Sequence, residues 1–156
     1  MYTKRLVEIA LKYLGATSIK YKGPEYGLNP EGFDCSGFVV FCLNQISFPF
    51  ERSIRHCNDF FDFFGVLVHE EYSDQGDLIF LSRDGFRPTH MGIMIDRQTY
   101  IHAPGVNDSK VCVEKKQSGQ ITQKRTDHPV IYSHNPIGFK RLTIPSANTR
   151  WKTLLP

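Results

Sequence analysis

The 156-residue chain has no CxxC pair, no long block of one charge and no internal repeat, and none of its apolar runs approaches the ~20 residues needed to cross a bilayer. It therefore reads as a soluble chain that does not span a membrane. Its four cysteines, Cys35, Cys42, Cys57 and Cys112, lack paired spacing, which argues against a structural zinc site and a disulfide scaffold. Cys42 follows Cys35 at a helical distance of ~10 Å, too far for a bridge. The formal net charge of +3 is scattered, and the densest basic cluster, Lys115-Lys116 with Lys124-Arg125, lacks interleaved aromatics, so nucleic-acid binding is not expected. The opening MYTKRLVEIALKYLG is interrupted by Glu8 and Lys12 and precedes no small-residue cleavage site, so it does not read as a secretory signal. Localisation stays open between the cytoplasm, a leader already removed and another export route.

What is present is the pattern of one α+β domain. Leu6, Ile9, Ala10, Tyr13 and Leu14 repeat at helical spacing after a candidate cap at Thr3, with Gly15 as a left-handed stop. Residues 16–32 form a Gly, Pro and Tyr-rich loop that leads to a second helix over 34–45, apolar on most sides and hence enclosed. A third helix is expected from a cap at Ser53 to a stop at Gly65, its phenylalanines reading as core. Short β-type runs follow: VLVHE, DLIFLS, HMGIMID, TYIHA, KVCVE and IGFKRL. Helices first and strands afterwards predict N-terminal helices packed on a C-terminal antiparallel sheet of about five or six strands. The domain is expected over residues 1–142, with a polar loop at 115–136 and a tail at 143–156 that Trp151 could pin.

Cys35, in EGFDCSGFVVF, opens the second helix, and from its position it is equally a structural thiol or a reactive one. A helix start presents unpaired N–H groups and the positive end of the dipole, both of which stabilise a thiolate. Cys42, Cys57 and Cys112 lie in apolar runs and read as small buried hydrophobes. His56, His69, His128 and His134 read as surface residues. His90 and His102 differ, lying on successive strands that a hairpin at DRQ is expected to join, which would bring the imidazoles together. One could then take a proton from Cys35 while the other holds its tautomer. A catalytic zinc on Cys35, His90 and His102 is disfavoured, because the short His-x₃₋₅-His or CxxC spacing is missing. No metal or cofactor is expected.

GFDCSGFV (32–39), GDLIFL (76–81), HMGIMID (90–96) and YIHAPG (100–105) resemble, in order and separation, the signature blocks of the NlpC-type cell-wall cysteine peptidases. The resemblance covers roughly residues 3–142. It implies a papain-like fold and hydrolysis of peptidoglycan or muropeptide stem peptides, typically between γ-D-glutamate and a diamino acid. It assigns Cys35 as nucleophile, His90 as general base and His102 as orienting residue, and it makes Asp34 and Ser36 candidates for holding the free amine of L-alanine, though either could simply cap the helix. The family's oxyanion tyrosine matches Tyr21 or Tyr26, with Tyr21 preferred, because the usual Gly-Gly pair is missing. Arg52 matches a family arginine, and Gly76-Asp77 reads as structural. Alternatives are a cell-wall amidase on the same fold or a non-catalytic wall-binding or phage-tail component.

Overall fold

The computed structural model describes residues 1–83, 85–116 and 135–144. Three helices, α1 (Tyr2–Lys12), α2 (Cys35–Gln45) and α3 (Cys57–Phe63), precede most of the strands. The main sheet contains β4 (Val66–Val68), β5 (Leu78–Ser82), β6 (His90–Met94), β7 (Thr99–His102), β9 (Cys112–Lys115) and β10 (Asn135–Arg141), in the order β4-β10-β5-β6-β7-β9, with antiparallel pairing throughout. The expected α+β architecture with six strands is present.

A second, smaller sheet departs from expectation. β1 (Thr17–Ser18), β2 (Leu28–Asn29), β3 (Gly32–Phe33) and β8 (Ser109–Lys110) pair in the order β2-β3-β1-β8, so that β1 and β2 fall inside what the sequence presents as an open loop. The run KVCVE divides at Val111, its start joining this small sheet and its end becoming β9. The strands are two residues each, too short for an alternating pattern to reveal.

Helix starts also differ from the expected caps. Thr3 lies inside α1, and Ser53 lies before α3, which is capped by His56 in a capping box with Asp59. Gly15 and Gly65 do adopt the left-handed conformation, with φ of 89° and 63°. Of the four phenylalanines near α3, Phe60 and Phe64 are buried and Phe61 packs on Phe80, but Phe63 faces solvent.

α2 is enclosed as its pattern requires. Phe38, Val39, Cys42 and Leu43 are fully buried in one core with Leu6 and Ala10 of α1 and Leu78, Phe80, Met91, Ile93 and Ile101 of the sheet. Each large apolar side chain buried there contributes roughly 1.5–3 kcal/mol. Ile79, Leu81, Met94, Tyr100 and Phe139 form a smaller cluster on the sheet's other face. Both strands of the pair β5–β6 are buried along their whole length, and α2 packs against β6. Asp77 carries the structural role expected of it, accepting from the Asp74 N–H at 2.8 Å and pairing with Arg141 of β10 at 3.0 Å. No described helix is long and apolar enough to cross a membrane.

Candidate active site

The loop before α2 and the start of that helix are locked together by an aspartate and two glycines. Asp34 is the N-cap, its Oδ1 accepting from the Gly37 N–H at 2.7 Å. Gly37 must lack a side chain, because a Cβ there would meet the Gly27 carbonyl oxygen at 1.9 Å. The Asp34 N–H donates to that same carbonyl at 3.1 Å. The result is a fixed helix N-terminus with Cys35 as its first residue, half-buried at the wall of a cleft of about 530 Å³.

β6 and β7 bring the second half of the site. His90, the first residue of β6, lines the same cleft, and its Nε2 lies 2.6 Å from Nδ1 of the fully buried His102. The register Ile93↔Ile101 sets His102 opposite Gly92, so the histidines meet diagonally. The expected hairpin is present, closed by the Ile95 N–H to the Thr99 carbonyl at 2.9 Å.

The electrostatics favour a thiolate at Cys35. A hydrogen bond from the Cys57 thiol lowers its pKa well below the ordinary value, and the hydrogen bond and charge of His90, with a contribution from His56, act the same way against the cost of burial. Cys57 is pushed strongly upward by the same contact and by burial, so it stays a thiol and donates. Its alternative acceptor is the Pro88 carbonyl, 3.4 Å from Sγ. Cys57 is thus buried as expected but is more than core packing.

Residues 55–57 are where the sequence reading needs correction. Arg52 is exposed, and the arginine that reaches the start of α2 is Arg55. Its Nη2 pairs with Asp34 Oδ2 at 2.6 Å, its Nη1 donates to Ser36 Oγ at 2.9 Å, and its Nε donates to the Pro24 carbonyl at 2.9 Å. Burial outweighs this arginine and holds the Asp34 carboxyl above its ordinary value. His56, expected at the surface, is half-buried at the cleft and caps α3. The missed signal was local: His56-x-x-Asp59 is a variant of the capping-box spacing, and it moves the helix start past Ser53.

The other expected residues fall as follows. Tyr21 lines the cleft, its ring 5.2 Å from that of His56 and under the Arg55 guanidinium at 5.4 Å. Tyr26 turns away from the cleft lining, and it is its backbone carbonyl that accepts from Arg55. Ser36 and Asp34 both line the cleft. On the far wall, the Gly105 N–H donates to Ser18 Oγ at 2.8 Å, and that hydroxyl donates to the Phe33 carbonyl at 2.9 Å, tying the YIHAPG segment to the strand before Cys35. His128, His134, Trp151 and most of the 115–136 loop lie outside the described residues.

A cysteine whose thiolate is favoured, an imidazole beside it and a second imidazole behind form an arrangement competent for acyl transfer. Comparison with known proteins agrees with this chemistry. The profile of the NlpC/P60 family matches residues 23–132. The gamma-D-glutamyl-L-lysine dipeptidyl-peptidase of Bacillus cereus is 29% identical over 101 residues, which cover 62% of this chain and 28% of that protein. The chain therefore spans less than a third of the length of this curated relative. The NlpC/p60 domain of the peptidoglycan hydrolase SagA superimposes with a TM-score of 0.58 at 26% identity, covering 72% of this chain and 88% of that one. An NlpC/P60 family protein from Bacillus cereus gives a TM-score of 0.65 at 24% identity over 92% of this chain and 40% of that one. NlpC1 from Trichomonas vaginalis gives 0.64 at 18% identity over 90% and 44%. The last two likenesses show a shared fold.

Proposed function

The chain belongs to the NlpC/P60 family, and from that premise we propose that it is a thiol hydrolase of peptidoglycan stem peptides, cleaving between γ-D-glutamate and a diamino acid. The observation that carries the reading is Cys35 at the N-terminus of α2, its thiolate favoured by Cys57 and His90 inside the cleft. The specific bond is supported by the activity for which the Bacillus cereus relative is named.

In the proposed reaction, the Cys35 thiolate attacks the scissile carbonyl carbon. The resulting oxyanion meets the Cys35 N–H, one of the first-turn donors that no helix carbonyl can satisfy, and the Tyr21 hydroxyl. His90, as imidazolium, then gives its proton to the departing amine, leaving a thioester on Cys35. Water attacks the thioester with His90 as base, and the thiolate leaves with the acyl bond broken. Throughout, His102 Nδ1 accepts the His90 Nε2–H, which orients the ring. Removing an orienter generally costs less than removing the base it holds, so His102 should matter less than His90.

Asp34 and Ser36 are proposed to hold the free amine of a substrate that begins with L-alanine. A carboxylate offers about four acceptor sites. Gly37, Ser36 and Arg55 all donate to Oδ1 while Arg55 alone donates to Oδ2, so Oδ2 is the less crowded oxygen and the one an amine would meet.

The test is digestion of two stem peptides, one beginning with free L-alanine and one still joined to its sugar, read by mass spectrometry. Cleavage after γ-D-glutamate that disappears in Cys35→Ala, with the fold unchanged by circular dichroism, is the expected result. Restriction to the free peptide supports amine capture. Release of an intact stem peptide from the sugar would instead mark an amidase, and activity surviving in Cys35→Ala would sink the thioester route.

A further inference from the structure

The sequence groups Cys112 with the buried hydrophobes, yet the pairing of β7 with β9 sets it directly opposite His102. Side-chain alternation puts Glu114, two residues on, on the same face. Cys112 Sγ lies 3.5 Å from His102 Nε2 and 3.9 Å from Glu114 Oε1, and the three donor atoms fall within 4.8 Å of one another. His102 is buried, while Cys112 and Glu114 are half-buried on β9, the terminal strand of the main sheet. This donor set shares only His102 with the catalytic zinc site that the sequence argues against. We propose that His102 Nε2, Cys112 Sγ and a Glu114 carboxylate oxygen form an inhibitory site for a thiophilic divalent cation, with zinc the best fit.

Imidazole, thiolate and carboxylate are the ligand types zinc takes, and three protein ligands with a fourth position left for water is a common arrangement. Hard cations such as magnesium and calcium are disfavoured by the sulfur. With Zn–S near 2.3 Å and Zn–N near 2.0–2.1 Å, tetrahedral geometry separates sulfur from nitrogen by about 3.5 Å. That is the spacing between Cys112 and His102. Glu114 completes the set by a side-chain rotation that closes its carboxylate by roughly 1 Å, given the ~2.0–2.2 Å reach of a zinc-bound oxygen.

Inhibition follows from the proton count of imidazole, a step that rests on the roles proposed above for His90 and His102. A neutral imidazole carries one N–H. In the catalytic arrangement His102 Nδ1 accepts from His90, so the His102 proton sits on Nε2, on the side facing Cys112. A cation on Nε2 takes that lone pair, and the proton moves to Nδ1. The Nδ1–H then points at His90 Nε2, which must be an acceptor, so the Nε2–H donation that holds the His90 ring in the proposed reaction is lost and the partner of Cys35 is no longer held in place. The proton displaced from the Cys112 thiol leaves to solvent. Metal binding and catalysis thus require opposite tautomers of one histidine.

The test begins with Cys35→Ala, which removes the nucleophile as a competing ligand, titrated with cobalt(II) and zinc. A thiolate-to-cobalt charge-transfer band is expected in Cys35→Ala and should vanish in Cys35→Ala/Cys112→Ala. Zinc added to the wild-type chain should slow alkylation of Cys35 by iodoacetamide, followed by mass spectrometry. Glu114→Gln should alkylate at the wild-type rate without zinc and should need about tenfold more zinc for the same protection. A band that survives loss of Cys112, no band in Cys35→Ala, or zinc protection unchanged in Glu114→Gln would overturn the proposal. Because neither readout uses a peptide, failure to cleave any stem peptide would count against the hydrolase reading alone.

Discussion

Gly92 stands opposite His102 across the β6–β7 ladder, and the side chain it lacks is what lets the His102 ring approach His90. A Cβ at position 92 would come within 2.9 Å of the Ile101 carbonyl oxygen, 3.0 Å of the Tyr100 ring and 3.1 Å of His102 Cβ. Tyr100, fully buried and 5.0 Å from His102 ring to ring, has little room to yield.

Gly92→Ala should therefore displace His102 while leaving Cys35 in place. A misplacement on the ångström scale can cost about 10²-fold in rate, and a loss of that order in kcat/KM is expected, with far-UV circular dichroism unchanged. Wild-type turnover in this variant would mean that the contact between the two histidines is not what orients the base.

Cys57 gives a prediction in pH. Cys35 is held below the ordinary thiol range chiefly by Cys57, so its thiolate forms early as pH rises. Removing that donor raises the Cys35 pKa, which moves the acid limb of the kcat/KM profile upward. Cys57→Ala should lose activity severalfold on the acid side and recover toward higher pH, whereas Cys57→Ser, which keeps a donor, should stay close to wild type. Superimposable acid limbs for Cys57→Ala and the wild type would remove Cys57 from the account.

Arg55 tests what holds the entrance of α2. Asp34 is 1% exposed and Arg55 8%, so the pair is screened little by water. Breaking a buried pair from one side costs about 3–5 kcal/mol, because the remaining charge loses its counter-charge. Arg55→Met should lower unfolding free energy by that order in a denaturant titration, and Asp34→Asn combined with Arg55→Met should recover part of it. A loss under about 1 kcal/mol, as at exposed ion pairs, would show that Arg55 is not essential to the cap.

Cys35, His90 and His102 were legible because each sits in a short block whose residue types state their own local structure. DCSG reads as a helix start from the cap at Asp34, and HMGIMID and TYIHA read as paired strands from their alternation and the turn between them. Arg55, His56 and Cys57 were not legible. A helical stripe runs through Ile54 and Cys57 alike, and the true cap was hidden by a plausible one at Ser53. The choice of Arg55 over Arg52 depends on the end of α3 lying against Pro24, Tyr26 and Asp34, segments 21 to 31 positions away.

The sequence by itself determined the helix and strand order, the α+β class, the enclosed character of α2 and the placing of a cysteine at its N-terminus. These follow from periodicity, caps and glycines, which act over a few residues. Only the tertiary structure decided that a second thiol comes up against Cys35, that Val111 divides one apolar run between two sheets, and that Cys112 faces His102. Those relationships depend on register between distant strands and on which surface a helix end meets. Neither leaves a periodic mark in the chain, because the packing free energy that selects them is shared among residues far apart in sequence.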